Sequence, residues 1–175
     1  ANWLGRSVSV IRTDLNQVVA TVPTVTSEPL PPAVLHGKQL FFSSKGPLSY
    51  QDRGSCASCH VFGRNDGRPW DLSQLGKHLR ATPDTRGIGY TGPHEGTADM
   101  DEMQDHEWGI RNFAGGAGLI AGTPNPALGP PNKGLSVDLD DLSLFMSTPV
   151  HRPDTPFLAP GGGLTAEADS GSVLF

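Results

Sequence analysis

The chain is poor in charge, in aromatic rings and in cysteine. Only 18% of its 175 residues are charged and 36% are hydrophobic. That excludes a long coiled coil, which draws on Ala, Glu, Lys and Leu in bulk. No apolar run approaches the ~18 residues of a transmembrane helix, so no membrane span is expected. Lys and Arg do not cluster and the formal net charge is −5, so nucleic acid and anionic membrane surfaces are not expected partners. Aromatics make up just 7%, yet with the aliphatics they recur along the whole chain, which argues against plain disorder. The two cysteines, Cys56 and Cys59, are too few and too close for a disulfide framework. No leader is visible at Ala1, as expected of a chain that begins after processing or was cut from a longer one.

Glycine and proline are abundant, at 22 and 16 residues. A chain so rich in both loses much backbone entropy on folding and has few long helices to offset it. Something beyond ordinary core packing is expected to hold it together. Residues 56 to 60 read Cys-Ala-Ser-Cys-His, the C-x-x-C-H pattern of c-type haem attachment. Two thiols add across the haem vinyl groups, and the two intervening residues let both sulfurs reach one macrocycle edge. His60 follows at once and can bind the iron from below. A redox dithiol would need a βαβ context, and a zinc site would need more ligands. One covalent haem c is therefore the expected cofactor, and it supplies the rigid apolar core that the composition lacks.

Around this motif the pattern is mainly helical with long loops. Residues 1–22 alternate Val8, Val10, Val18 and Val19 with polar or turn residues and read as a β-hairpin. A Pro-rich linker fills 23–32. Residues 32–42 read as a short helix started by Pro32, and Gly37 inside it predicts a close helix crossing. Residues 98–113 place Met103, His106, Ile110 and Phe113 on one helical face. Residues 136–147 make a last helix with Ser136 or Asp138 as cap and Pro149 beyond its end. Gly-x-x-Leu-Phe occurs at 37–41 and again at 171–175.

These residues resemble a known superfamily. Gly37-x-x-Leu40-Phe41, the Cys56–His60 motif, Thr82-Pro83-Asp84-Thr85-Arg86-Gly87 and Gly92-Pro93-His94-Glu95-Gly96 are similar to the di-haem cytochrome c peroxidase/MauG-like haem domains. The second stretch of that pattern lacks the usual aromatic pair here. The resemblance covers about 33–150 and implies a cytochrome c-like domain, mainly α, preceded by a short β-hairpin. Residues 1–22 resemble the last strands of a YVTN-type β-propeller, and 151–175 resemble a linker and the start of a second haem domain. The implied partners are the other chains or domains of a larger redox protein, namely a propeller and a second haem domain, together with redox partner proteins. Haem attachment implies a periplasmic or extracellular location.

The sixth iron ligand decides the chemistry, because a six-coordinate iron shuttles electrons and a five-coordinate iron can bind peroxide. Met100, Met103, Met146, His78, His94 and His106 are the candidates. Met103 and His106 share the face that the resemblance marks and are expected equally. Met146 reads as core filler, and His36 and His151 as structural. Trp70 and Phe62 are expected to wall the haem, while Arg80 and Arg86 could meet its propionates. The expected function is electron transfer within a larger secreted redox protein. The alternative is a haem peroxidase or MauG-like oxidase in which this haem is the catalytic or feeder centre.

Overall fold

A computed structural model describes residues 1–148, 158–159 and 161–174. The β-branched runs at the start form strands β1 (Ser7–Arg12) and β2 (Gln17–Pro23), paired antiparallel with a register shift between Val10 and Ile11. The expected hairpin is therefore present. Nearly all of its residues are exposed, and a two-stranded hairpin is marginal alone. Three contacts tie this N-terminal region to the linker and the first helix. Trp3 meets Phe42 edge-on at 4.6 Å, Lys38 Nζ lies 4.5 Å over the Trp3 ring, and Arg6 Nε donates to Glu28 Oε2 at 2.9 Å.

Helix α1 (Pro32–Phe41) starts on Pro32, whose missing N–H costs nothing in a first turn. It crosses α3 (Val137–Ser147), which is capped by Ser136: Leu139 N–H donates to its Oγ at 3.3 Å. The crossing is as close as Gly37 predicts. A Cβ there would lie 1.9 Å from the Asp141 carbonyl oxygen, so only glycine fits. Beside it, His36 Nδ1 bonds Asp141 Oδ2 at 2.8 Å, the structural role expected of that histidine. The core gathers Phe41, Leu48, Ile110, Ile120, Leu139 and Leu142, with Cys56, Ala57, Phe145 and Met146 packed against it. Each fully buried large side chain contributes about 1.5–3 kcal/mol.

Three expectations need correction. The chain is not mainly α. It is mixed, with modest helicity and two small hairpin sheets. The second sheet, β3 (Pro69–Leu72) with β4 (His78–Ala81), lies in a stretch that reads only as Gly/Pro-rich loop. Its strands have four residues each, too short for a periodic signal. The helix expected over 98–113 begins only at 103. Ala98 is left-handed at φ 54°, and Asp105 Oδ2 accepts the N–H groups of Asp101 and Glu102 at 3.2 and 3.4 Å, closing the start. The segment runs as a 3₁₀ turn (Met103–His106) and ends as a π turn (Gly109–Phe113).

Between these elements lies α2 (Cys56–Cys59), and α4 (Ala166–Leu174) comes last with no buried residue. Among the described residues no helix is long and apolar enough to cross a membrane. Pro149, His151 and Phe175 lie outside the described residues.

Candidate cofactor site

A single helical turn carries both cysteines. At spacing i, i+3 they share one face of α2, and Ser55 N–H donates to Ser58 Oγ at 3.0 Å to start that turn. Burial pushes the Cys56 thiol up to about 11, and burial also raises Cys59. A redox dithiol needs the opposite shift, toward thiolate at neutral pH. Among the described residues no group of three or more His, Cys, Asp or Glu side chains is arranged to hold a metal ion.

His60 ends the turn, its N–H donating to the Cys56 carbonyl at 2.9 Å. Its Nδ1 lies 3.0 Å from the Pro83 carbonyl oxygen. A carbonyl only accepts, so this bond assigns the proton to Nδ1 and leaves the Nε2 lone pair free. That is the tautomer a metal-binding histidine needs. Pro83 is held in place by its neighbour Thr85, whose N–H and Oγ both donate to the Gly63 carbonyl at 2.9 Å. The Phe41 ring stands 6.5 Å from the imidazole and ties it to the core.

His106 is the counterpart. As a residue it is only partly buried, but its Nε2 is sealed from solvent and has no hydrogen-bond partner. Burial first, then the neighbouring His94, His60 and Lys77, push its pKa down to about 4. The ring is therefore neutral at ordinary pH, the form that ligates iron. The influence of His60 on it means that the two imidazoles share one region. An orphaned, dry ring nitrogen is costly unless something else binds it. His60, with its Nδ1 on a carbonyl, and His106, with an unpartnered Nε2, are the two imidazoles here that could hold a metal.

The other candidates separate clearly. Met100 and Met103 are buried, while Met146 packs partly buried on the core. His78 is exposed at the start of β4. His94 is buried, its ring 5.9 Å from that of His106, and its Nδ1 also lacks a partner. Trp70 Nε1–H is shared between Asp66 Oδ2 at 3.0 Å and Thr82 Oγ1 at 3.1 Å, and its ring meets Phe113 edge-on at 6.1 Å. Phe62 is exposed. Arg86 is engaged by Asp84 through Nε at 3.0 Å and through Nη2. Lys77 pairs with Asp99 and lies 5.2 Å over the Trp108 ring. Arg80 Nε and Asp99 Oδ1 are dry and unpartnered.

Sequence reading gives Cys56, Cys59, His60 and, equally, Met103 or His106, but no role to the Pro83 carbonyl, Lys77 or Asp99. Pro83 stands within one of the recognisable stretches, but a backbone carbonyl carries no side-chain signal.

No protein-family model matches the chain, and no curated protein matches it. Among solved structures, it is similar to hydrazine synthase of Kuenenia stuttgartiensis, in a structure pressurised with xenon. Identity is 22% and the TM-score 0.51, over 91% of this chain and 56% of that one. The chain thus spans just over half the length of the chain it matches. At this identity the likeness concerns the fold alone.

Proposed function

We propose that this chain carries one haem c, attached through Cys56 and Cys59 and ligated by His60 and His106, and that it transfers electrons within a larger redox protein. The observation that carries the reading is the dry, unpartnered Nε2 of His106, in the same region as an His60 whose Nδ1 is already held by Pro83. It favours His106 over Met103 as the distal ligand. A haem held this way supplies one-electron redox chemistry. The chain's own residues hold the His106 imidazole neutral and keep water from it, and fix the His60 ring through the Pro83 carbonyl.

Were His60 and His106 both to ligate a haem iron, no position would be open to peroxide, which is why electron transfer is preferred to peroxidase or oxidase chemistry. The likeness to a haem-domain superfamily over 33–150 supports the same cofactor. The similarity to a hydrazine synthase chain is compatible with a redox role. The hairpin at 1–22 is read as the last strands of a propeller, and the segment at 151–175 as a linker and the start of a second haem domain. Covalent haem maturation is the ground on which the protein is read as periplasmic or extracellular.

Intact mass and optical spectra test this. The expected mass is that of the sequence plus one haem. The ferric spectrum is low-spin, has no methionine–iron band and does not change on adding peroxide. His106→Ala turns it high-spin, whereas Met103→Leu leaves it unchanged. A wild-type protein that is high-spin and reacts promptly with peroxide would overturn the assignment in favour of an enzyme.

A further inference from the structure

Aromatic rings are scarce in this chain, yet three of them stand in consecutive contact and lead to His60. Trp3 meets Phe42 at 4.6 Å between ring centroids, Phe42 meets Phe41 at 5.3 Å, and Phe41 stands 6.5 Å from the His60 ring. The first two contacts are edge-on, a favoured geometry of packed rings. The series runs from outside to inside: Trp3 is 47% exposed, Phe42 is partly buried and Phe41 is buried. Phe41 also touches Phe145 at 5.4 Å, a branch that stays on the core. The two candidate iron ligands differ in this respect. Among the described residues, His106 has its ring contact with His94, and no ring contact leads on from there. Trp70 and Phe113 pair only with each other. Of the two ligands, only His60 is joined by rings to an exposed ring.

Electron tunnelling weakens steeply with every gap between atoms, and a close-packed series of side chains leaves no gap wider than a contact. Taking an electron out of these rings is a different matter. Phenylalanine is very hard to oxidise. Lys38 Nζ lies 4.5 Å over the Trp3 ring, where a ring made positive would be repelled. The rings therefore suit a contact route and not a set of sites at which the electron stops.

We infer that Phe41, Phe42 and Trp3 are the route by which an electron passes between a haem on His60 and the N-terminal surface. The inference rests on the haem reading above and adds the path. One electron leaves the reduced haem and reduces a one-electron acceptor protein in contact with Trp3. No bond forms or breaks, and no proton is transferred.

Flash-triggered electron transfer from a pentaammineruthenium group on a surface histidine tests it in the haem-loaded protein. One label sits on Ala1→His, two residues before Trp3. The other sits on the exposed His78 of β4, outside the series. Singly labelled protein is separated and its site fixed by peptide mapping. Trp3→Ala and Phe42→Ala are expected to lose most of the transfer rate from the Ala1→His label, with the haem spectrum and the rate from His78 unchanged. Trp3→Phe keeps most of the rate, because it keeps the ring contact. Arg6→Gln cuts the bond to Glu28 and loosens the same region without touching a ring, and it also keeps the rate. If Trp3→Ala and Phe42→Ala transfer as fast as their parent, the route is refuted while the haem reading stands. Equal slowing from both labels would also refute it, because the rings would then act on the haem site and not on one path. A Trp3→Phe protein as slow as Trp3→Ala would replace the contact route by an electron that stops on the indole. Wild-type protein whose mass shows no haem would overturn both readings.

Discussion

α1 contains Gly37 and Leu40 three residues apart and α4 contains Gly171 and Leu174 at the same spacing, but their surroundings are opposite. Gly37 sits against the Asp141 backbone, so close that any side chain would collide with it, whereas nothing lies within 4 Å of a Cβ on Gly171. Phe41 is 2% exposed and Leu174 is 89% exposed. The polar neighbours differ too. His36 reaches across to Asp141, while Ser170 Oγ turns back to the Ala166 carbonyl of its own helix at 2.8 Å. The pattern alone does not bury a helix. It permits a close approach, and α3 supplies the surface that makes glycine worth its ~1 kcal/mol helix penalty.

The largest test of this contrast removes the side chains beside each glycine. Phe41→Ala should destabilise the protein by about 3–5 kcal/mol, as large aromatic truncations in packed cores do. Leu174→Ala should stay within about 0.5 kcal/mol. Urea unfolding followed by tryptophan fluorescence measures both, and comparable losses would mean that α4 is packed in solution. The next test reverses sign between the two sites. Gly37→Ala forces a methyl into backbone and should cost about 1–3 kcal/mol. Gly171→Ala meets open space and should raise helix stability by up to about 1 kcal/mol. Two changes of the same sign would refute the packing account of Gly37.

The same contrast explains what could be read from the sequence. The C-x-x-C-H pattern is legible because its residues are local: two thiols and an imidazole within five residues. Pro32, Gly37 and Ser136 were legible because each marks a helix start or a crossing through its own backbone or side-chain chemistry. The β3–β4 hairpin was not, because its pairing, Trp70 opposite Arg80 and Leu72 opposite His78, depends on a partner strand and not on periodicity. The acids at 99–105 suggested the first turns of a helix. In fact Asp105 caps the segment and Asp99 pairs with Lys77, roles fixed by the left-handed turn at Ala98. The proposal of His106 over Met103 rests on which polar atom is left dry and unpartnered. That property exists only in the folded chain.

A smaller effect is expected at the hydrogen bond beside the crossing. Asp141→Asn keeps the shape but removes the charge that strengthens the bond to His36, and should cost about 1 kcal/mol. Ser170→Ala, at the α4 position that corresponds to His36 in α1, removes only a back-bond within the helix and should be neutral or slightly stabilising. Thermal unfolding of the pair decides whether the polar contact belongs to the crossing or only decorates it.

The smallest effect concerns the strap on the other side of α1. Arg6 donates to the Glu28 carboxylate, which also accepts from Leu30 N–H at 3.0 Å. The Arg6 bond first, then that backbone bond, holds Glu28 below its ordinary value of 4.5. A lowered carboxyl pKa in the folded state means that the unfolded chain binds the proton more readily. The strap's contribution is therefore complete above the ordinary value and is lost as pH falls through the lowered one. Because the pair faces solvent, the change is expected to loosen the hairpin locally without unfolding α1. Amide exchange, corrected for its intrinsic pH dependence, should show residues 7–23 less protected near pH 3 than near pH 5, while α3 is unchanged. Glu28→Gln should remove that difference. Protection that falls equally in the variant would mean that Trp3 on Phe42, and not the ion pair, holds the hairpin to α1.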